Sequence, residues 1–266
     1  MQTTDQDALA ETPRRREGRA TPLRIAIGCA IIAAWCLAWA DGARVGGPVV
    51  GIIAGVMFTV PLTSLGEWWT HGVLYHGHTP GLAFIRTIHH QGHHFALFPP
   101  DRYVQHGRYE FMRFREPLVP FQMSDNWLDN ALTSWSQILL HFVVGIPLVM
   151  VPAWLLAPTH AFAGSCLASL AIISWLLAYV HGVIHTPRNR LIERMGWFQW
   201  LDRHHYIHHV DLQANINFML PICDFLFGTQ KWALTEKEQA RVPTFAGAKP
   251  MAGDVTAEEL AAAKST

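Results

Sequence analysis

Charge is scarce in this chain: 15% of its 266 residues are Asp, Glu, Lys or Arg, and they balance to a formal net charge of zero. So even a balance predicts no nucleic-acid partner, and so few charges do not read as a soluble domain. Cysteine is also sparse. Cys29, Cys36, Cys166 and Cys223 form no Cys-x-x-Cys, which argues against an iron–sulfur cluster or a disulfide framework. No Gly-x-Gly-x-x-Gly fingerprint for flavin or nicotinamide occurs, so electrons for any redox chemistry must come from another protein. The Glu-x-x-His pairs of soluble di-iron bundles are missing as well.

Half of the residues are hydrophobic and eleven are tryptophan. Crossing about 30 Å of hydrocarbon takes roughly 20 apolar residues in a helix. Three uncharged tracts qualify: Ile25 to Ala40, Val45 to Gly66, and Asn130 to Pro187, the last divided by a turn at Pro158, Thr159 and His160. They predict an all-α integral membrane protein with four transmembrane helices, near 23–41, 46–65, 136–157 and 161–180, in two hairpins. Arg14, Arg15, Arg16, Arg19 and Arg24 precede the first helix, whereas the far connections carry only Arg44. The positive-inside rule then puts both termini in the cytoplasm, with a signal-peptide reading disfavoured by the lack of a small-residue cleavage site. Residues 1–22 read as a polar, disordered segment, 23–232 as the membrane domain with a cytoplasmic helical cap, and 233–266 as a polar tail.

Ten of the sixteen histidines fall in four clusters, His71/His76, His90/His93/His94, His181/His185 and His205/His208/His209. Residues three and four apart share a helix face, so His90 and His205 point with the pairs that follow them. The spacing of five between His71 and His76 splays a regular helix by roughly 140°, so this pair needs a bend or a π-bulge. A single histidine is more often structural. Ten in four clusters exceed the positions of one ion, which predicts two metals, and imidazole suits iron, zinc, copper and nickel alike. All ten lie in 67–129 and 181–266, on the predicted cytoplasmic face, so the histidine-ligated dimetal site is expected in the cap.

These residues resemble the fatty acid hydroxylase and sterol desaturase superfamily of membrane non-haem di-iron enzymes. Glu67-Trp-Trp-Thr-His71-Gly-Val-Leu-Tyr-His76 is similar to its first histidine box. His90-Gln-Gly-His93-His94 with Pro99-Pro100-Asp101-Arg102 is similar to the second, His181-Gly-Val-Ile-His185 to the third and His205-Tyr-Ile-His208-His209 to the fourth. Asp224-Phe-Leu-Phe227-Gly228-Thr229 looks like the terminal box, with departures at Cys223 and at Met219 after Asn217-Phe218. The first and fourth boxes also resemble carotenoid hydroxylases. The resemblance covers roughly residues 25–232.

The resemblance implies two iron ions, O₂ as co-substrate and a ferredoxin or cytochrome-type electron donor, acting on a C–H bond of a fatty acyl or sterol-like lipid. Hydroxylation is the expected outcome, with desaturation or carotenoid hydroxylation on the same site as alternatives. With the ligand set nearly uncharged, Glu67, Asp101, Asp202 and Asp211 are candidates to accept the outer imidazole N–H groups; for Asp101 and Asp224, helix capping weighs equally. His89 and His204, one residue out of register, belong to the outer shell. Trp68-Trp69 and Trp197–Trp200 read as interface anchors, and residues 111–121 as an amphipathic segment admitting a lipid sideways. Arg108, Arg113, Arg115, Arg188, Arg190, Arg194 and Arg203 could attract an acidic donor or contact headgroups. The rival class is a histidine-rich metal-binding or transport protein, which would place its ligands nearer the bilayer midplane.

Overall fold

The computed structural model describes residues 19–98, 100, 138–185 and 190–245, and among them all regular structure is helical. Four helices are long and apolar enough to span a membrane: α1 (Pro22–Val45), α2 (Gly47–Tyr75), α4 (Ile138–Leu156) and α5 (His160–His185). The short α3 (Ala83–Arg86) leads into a wide-turned stretch, Thr87–Leu97; α6 (Gly196–Val210), α7 (Ile222–Phe227) and α8 (Glu236–Phe245) complete the order.

Local chemistry sets these boundaries. Thr21 accepts the Arg24 N–H at 3.3 Å, and Pro22 occupies the first turn of α1, where its missing N–H costs nothing. Gly46 and Gly47 then break the chain, with Gly47 at φ +75°, and α2 starts at once.

Within the bilayer-length part, α2 packs along both α1 and α5. Gly51 and Gly55 make the second approach possible: a Cβ on Gly55 would stand 2.6 Å from Cβ of Ser165, and one on Gly51 3.3 Å from Cβ of Ala161. Small residues four apart are how membrane helices come close without a hydrophobic driving force between them. The contact is sealed by the Ser165 hydroxyl, which donates to the Ile52 carbonyl at 2.7 Å. Phe58 and Phe162 meet edge to face in the same seam, both fully buried. Pro61 sits inside α2 and leaves the Met57 carbonyl without its helical donor. The Trp35 indole of α1 supplies the replacement at 2.8 Å.

The helices run further than apolarity alone predicts. The tracts suggest that α2 ends near 65 and α5 near 180; instead the helical path continues to Tyr75 and His185, carrying His71, His181 and His185 with it. The extension of α2 is unusual. Over Thr70–Tyr75 the turns widen, and the His76 N–H bonds the His71 carbonyl at 3.2 Å. This is the five-residue bond of a π-turn, a feature that often marks functional sites. Thr87–Leu97 is wound the same way and closes with the Phe98 N–H on the His93 carbonyl at 2.9 Å.

Candidate metal centre

Two four-imidazole groups form where these extensions meet α6. His71, His76, His94 and His208 make the first; His93, His185, His205 and His209 make the second, and within each group the ligand nitrogens lie within 4.8 Å of one another. The groups abut, with the rings of His94 and His209 centred 4.2 Å apart. The wide turn at Thr70–Tyr75 brings His71 and His76 to one side, resolving their five-residue spacing. The neighbours His93 and His94 divide between the groups, and so do His208 and His209.

Backbone carbonyls orient the rings. His71 Nδ1 meets the Ile216 carbonyl at 2.5 Å, His208 Nδ1 the Ala214 carbonyl at 2.9 Å and His209 Nδ1 the Phe98 carbonyl at 2.8 Å. A carbonyl only accepts, so each Nδ1 carries the proton and each Nε2 presents a lone pair. Those lone pairs face other imidazoles: His76 Nε2 is 3.1 Å from His208 Nε2, and His205 Nε2 lies 2.9 Å from His185 Nε2 and 3.2 Å from His209 Nε2. The buried Nε2 of His93 has no hydrogen-bond partner among the described residues. Converging, proton-free nitrogens are a donor set for a cation, so the residues fit a metal pair.

The surroundings keep the imidazoles neutral. Burial pushes His76 down to about 2, with His208 and His90 adding repulsion, and pushes His208 down to about 4 against the opposing pull of the Ala214 carbonyl. His94, His205 and His209 are likewise held well below the ordinary histidine value, first by burial and then by neighbouring imidazoles. Neutral imidazole is the ligating form.

Of the ten histidines singled out by spacing, eight fall in the two groups. His181 borders the second, its ring 4.9 Å from those of His93 and His205. His90 lies outside both, its Nδ1 2.9 Å from His76 Nδ1. His89, which the α-helical spacing leaves in the outer shell, is turned inward: its Nε2 is 3.0 Å from His71 Nε2 and 3.1 Å from His94 Nε2. The reason is the winding of Thr87–Leu97, which aligns residues five apart. His204 does stand outside, its Nε2 2.6 Å from the Asn217 carbonyl and 3.3 Å from the Asp224 carboxylate.

Two of the carboxylates named from sequence, Glu67 and Asp211, hold partners other than the imidazoles. Glu67 is buried and accepts the Phe218 and Met219 N–H groups at 2.7 and 3.3 Å. Asp211 pairs with Lys231 at 2.8 Å. Asp202 is buried on α6, and Asp101 lies outside the described residues, as do residues 111–121 and Arg108, Arg113, Arg115 and Arg188. For His71 and His208 the orienting acceptors come from the loop 214–217, which Asp224 pins by accepting the Ile216 and Asn217 N–H groups at 2.9 Å each and the Thr229 hydroxyl. Carbonyl acceptors leave no mark in composition. Their only trace in the sequence is the terminal box around Asp224.

A narrow cavity lined by Glu67, His71, Tyr75, His89, His141 and His181 touches the first group, and a second, between α2, α4 and α5, shares Glu67 and His141 with it. Family models, curated proteins and solved structures yield no match to this chain.

Proposed function

We propose that this protein is a membrane-bound di-iron oxygenase that hydroxylates a C–H bond of a lipid, a fatty acyl chain or a sterol-like molecule. The observation that carries the proposal is the pair of abutting imidazole groups, each made of four neutral nitrogens and tied together by two His-His dipeptides. Iron bound there would supply O₂ reduction and hydrogen-atom removal from an unactivated carbon, with two electrons and two protons delivered per turnover and water as the second product.

The chain's own residues do the rest. Nδ1 donation to the carbonyls of Phe98, Ala214 and Ile216 holds three ligands in one tautomer. The cavity that begins among Thr63, Gly66, Leu170 and Ser174 and reaches Glu67 and His141 favours a substrate arriving from the bilayer. Two helical hairpins, with both termini and the histidine cap in the cytoplasm, follow from the arginines before α1 and the near absence of positive charge in the far connections. In that orientation an external ferredoxin or cytochrome reaches the cap from the cytoplasm, near Arg190, Arg194 and Arg203. Iron is preferred over zinc because the resemblance to the fatty acid hydroxylase superfamily implies redox work.

Lipid mass spectrometry of cells expressing the intact protein or His208→Ala, with iron and a donor supplied, tests this. One lipid class gaining an oxygen only with the intact protein is expected. A loss of two hydrogens instead makes the enzyme a desaturase, and identical lipids with iron bound and a competent donor overturn the enzymatic reading.

A further inference from the structure

The geometry points to His89, and not His90, as the fifth imidazole of the first metal site, an assignment that rests on the dimetal reading above. His89 Nε2 approaches two members of the first group, His71 at 3.0 Å and His94 at 3.1 Å, and it does so through their own Nε2 atoms. His71 Nδ1 is already committed to the Ile216 carbonyl. The nitrogen facing His89 is therefore the one left for a cation.

The spacing has a coordination meaning. Nitrogens about 2.1 Å from one ion stand about 3.0 Å apart at neighbouring corners of an octahedron and about 3.4 Å apart in a tetrahedron. His71–His89, His89–His94 and His76–His208 measure 3.0, 3.1 and 3.1 Å. Each pair is close enough to share one ion. His71, His76, His94 and His208 form the group proper; His89, in contact with two of its members, would add a fifth donor, one more than a closed structural zinc site uses.

The protein also holds the ring in place. Tyr75 stacks on His89 with centroids 4.3 Å apart and planes 25° from parallel. Tyr75 belongs to the same wide turn that aligns His71 with His76, so one irregular segment positions three ligands. His90 meets His76 at Nδ1, while His76 Nε2 faces His208. It therefore touches the ligand's outer nitrogen and serves as the orienting partner that a backbone carbonyl provides for His71, His208 and His209. The five-residue step from His89 to His94 repeats the step from His71 to His76, each within a wide-turned stretch.

The experiment compares the wild-type chain, His89→Ala and His90→Ala, each purified in detergent, shown to retain its helical content and loaded anaerobically with Fe(II). Elemental analysis gives iron per chain, and X-ray absorption gives the mean number of nitrogen ligands. The expected result is two irons for the wild type and for His90→Ala, and one for His89→Ala, restored towards two by free imidazole. One iron in His90→Ala with two in His89→Ala overturns the assignment, as does an equal result in the two variants or a loss in His89→Ala that imidazole leaves unchanged. A wild-type chain that takes up no iron overturns the dimetal reading itself, a result distinct from all of these.

Discussion

The Trp35 indole donates at 2.8 Å to the carbonyl of Met57, the acceptor that Pro61 leaves without a helical donor. An aromatic residue on α1 thus repairs the ladder of α2. In lipid no water can do so, and a freed backbone group must find a partner inside the protein. Trp35→Phe should lower stability by about 1–3 kcal/mol, the cost of an acceptor left unsatisfied away from water. In a Pro61→Ala background the helix supplies its own donor, and the same substitution should cost clearly less. Thermal unfolding in detergent of the four proteins of this cycle measures the difference; equal costs in both backgrounds would contradict the repair.

The close passage of α2 by α5 makes a second prediction. Gly55→Ala places its methyl against Ser165 Cβ and the Phe162 carbonyl, at 2.6 and 2.9 Å. The helices must part, and overpacking of this kind costs about 1–3 kcal/mol. Gly164→Ala meets nothing within 4 Å and should leave the melting temperature unchanged or slightly raised. Equal behaviour of the two variants would deny that the seam depends on Gly55.

Asp224 acts at a distance from the imidazoles. Its carboxylate holds the N–H groups of Ile216 and Asn217, and the carbonyls of Ala214 and Ile216 in that loop orient His208 and His71. Asp224→Ala should weaken metal binding about 10–100-fold, as loss of an outer partner does, with most of the helical content retained. Metal titration under a competing chelator reads this directly. Unchanged affinity would reduce Asp224 to a brace of the 214–217 loop with no bearing on the metal.

Acid should empty the site from the protein side. His76 and His208 fall to about 2 and about 4 in the folded state, below an unfolded value of about 6.5. Between those limits the unfolded chain binds more protons than the folded one, so stability falls as pH drops below about 6.5 and stops falling only beneath the folded values. The metal-free protein should therefore melt at progressively lower temperature from pH 7 to pH 5. The metal-loaded protein should resist until protons displace the ion. A flat melting temperature across this range would mean that the rings are not buried as neutral bases.

Much of the fold is legible in the apolar tracts, because lipid imposes a length that composition reports. The Pro158 to His160 turn, for instance, divides α4 at Leu156 from α5 at His160 as the sequence suggests. The helix ends are less legible. Histidine is polar, so hydropathy stops α2 and α5 short of His71 and His181, although both helices continue on hydrogen bonds and ring packing. The clusters themselves are plain, and the five-residue gap between His71 and His76 asks for a wide turn. His89 falls out of register on a 3.6-residue period because the backbone there is wound on a longer one. The carbonyls of Phe98, Ala214 and Ile216 were invisible for a different reason, since every residue carries one.

The division of His93 from His94, and of His208 from His209, links the two groups mechanically. Consecutive Cα atoms stand about 3.80 Å apart across a planar peptide that scarcely deforms. Two such rigid spans join the groups, one from the wide-turned stretch and one from α6. They act as paired rulers: neither group can drift, tilt or widen without dragging the other, so occupying one shapes its neighbour. The two ions should then bind with different constants, the second reporting on the first, while a chain with one disabled group still holds one ion.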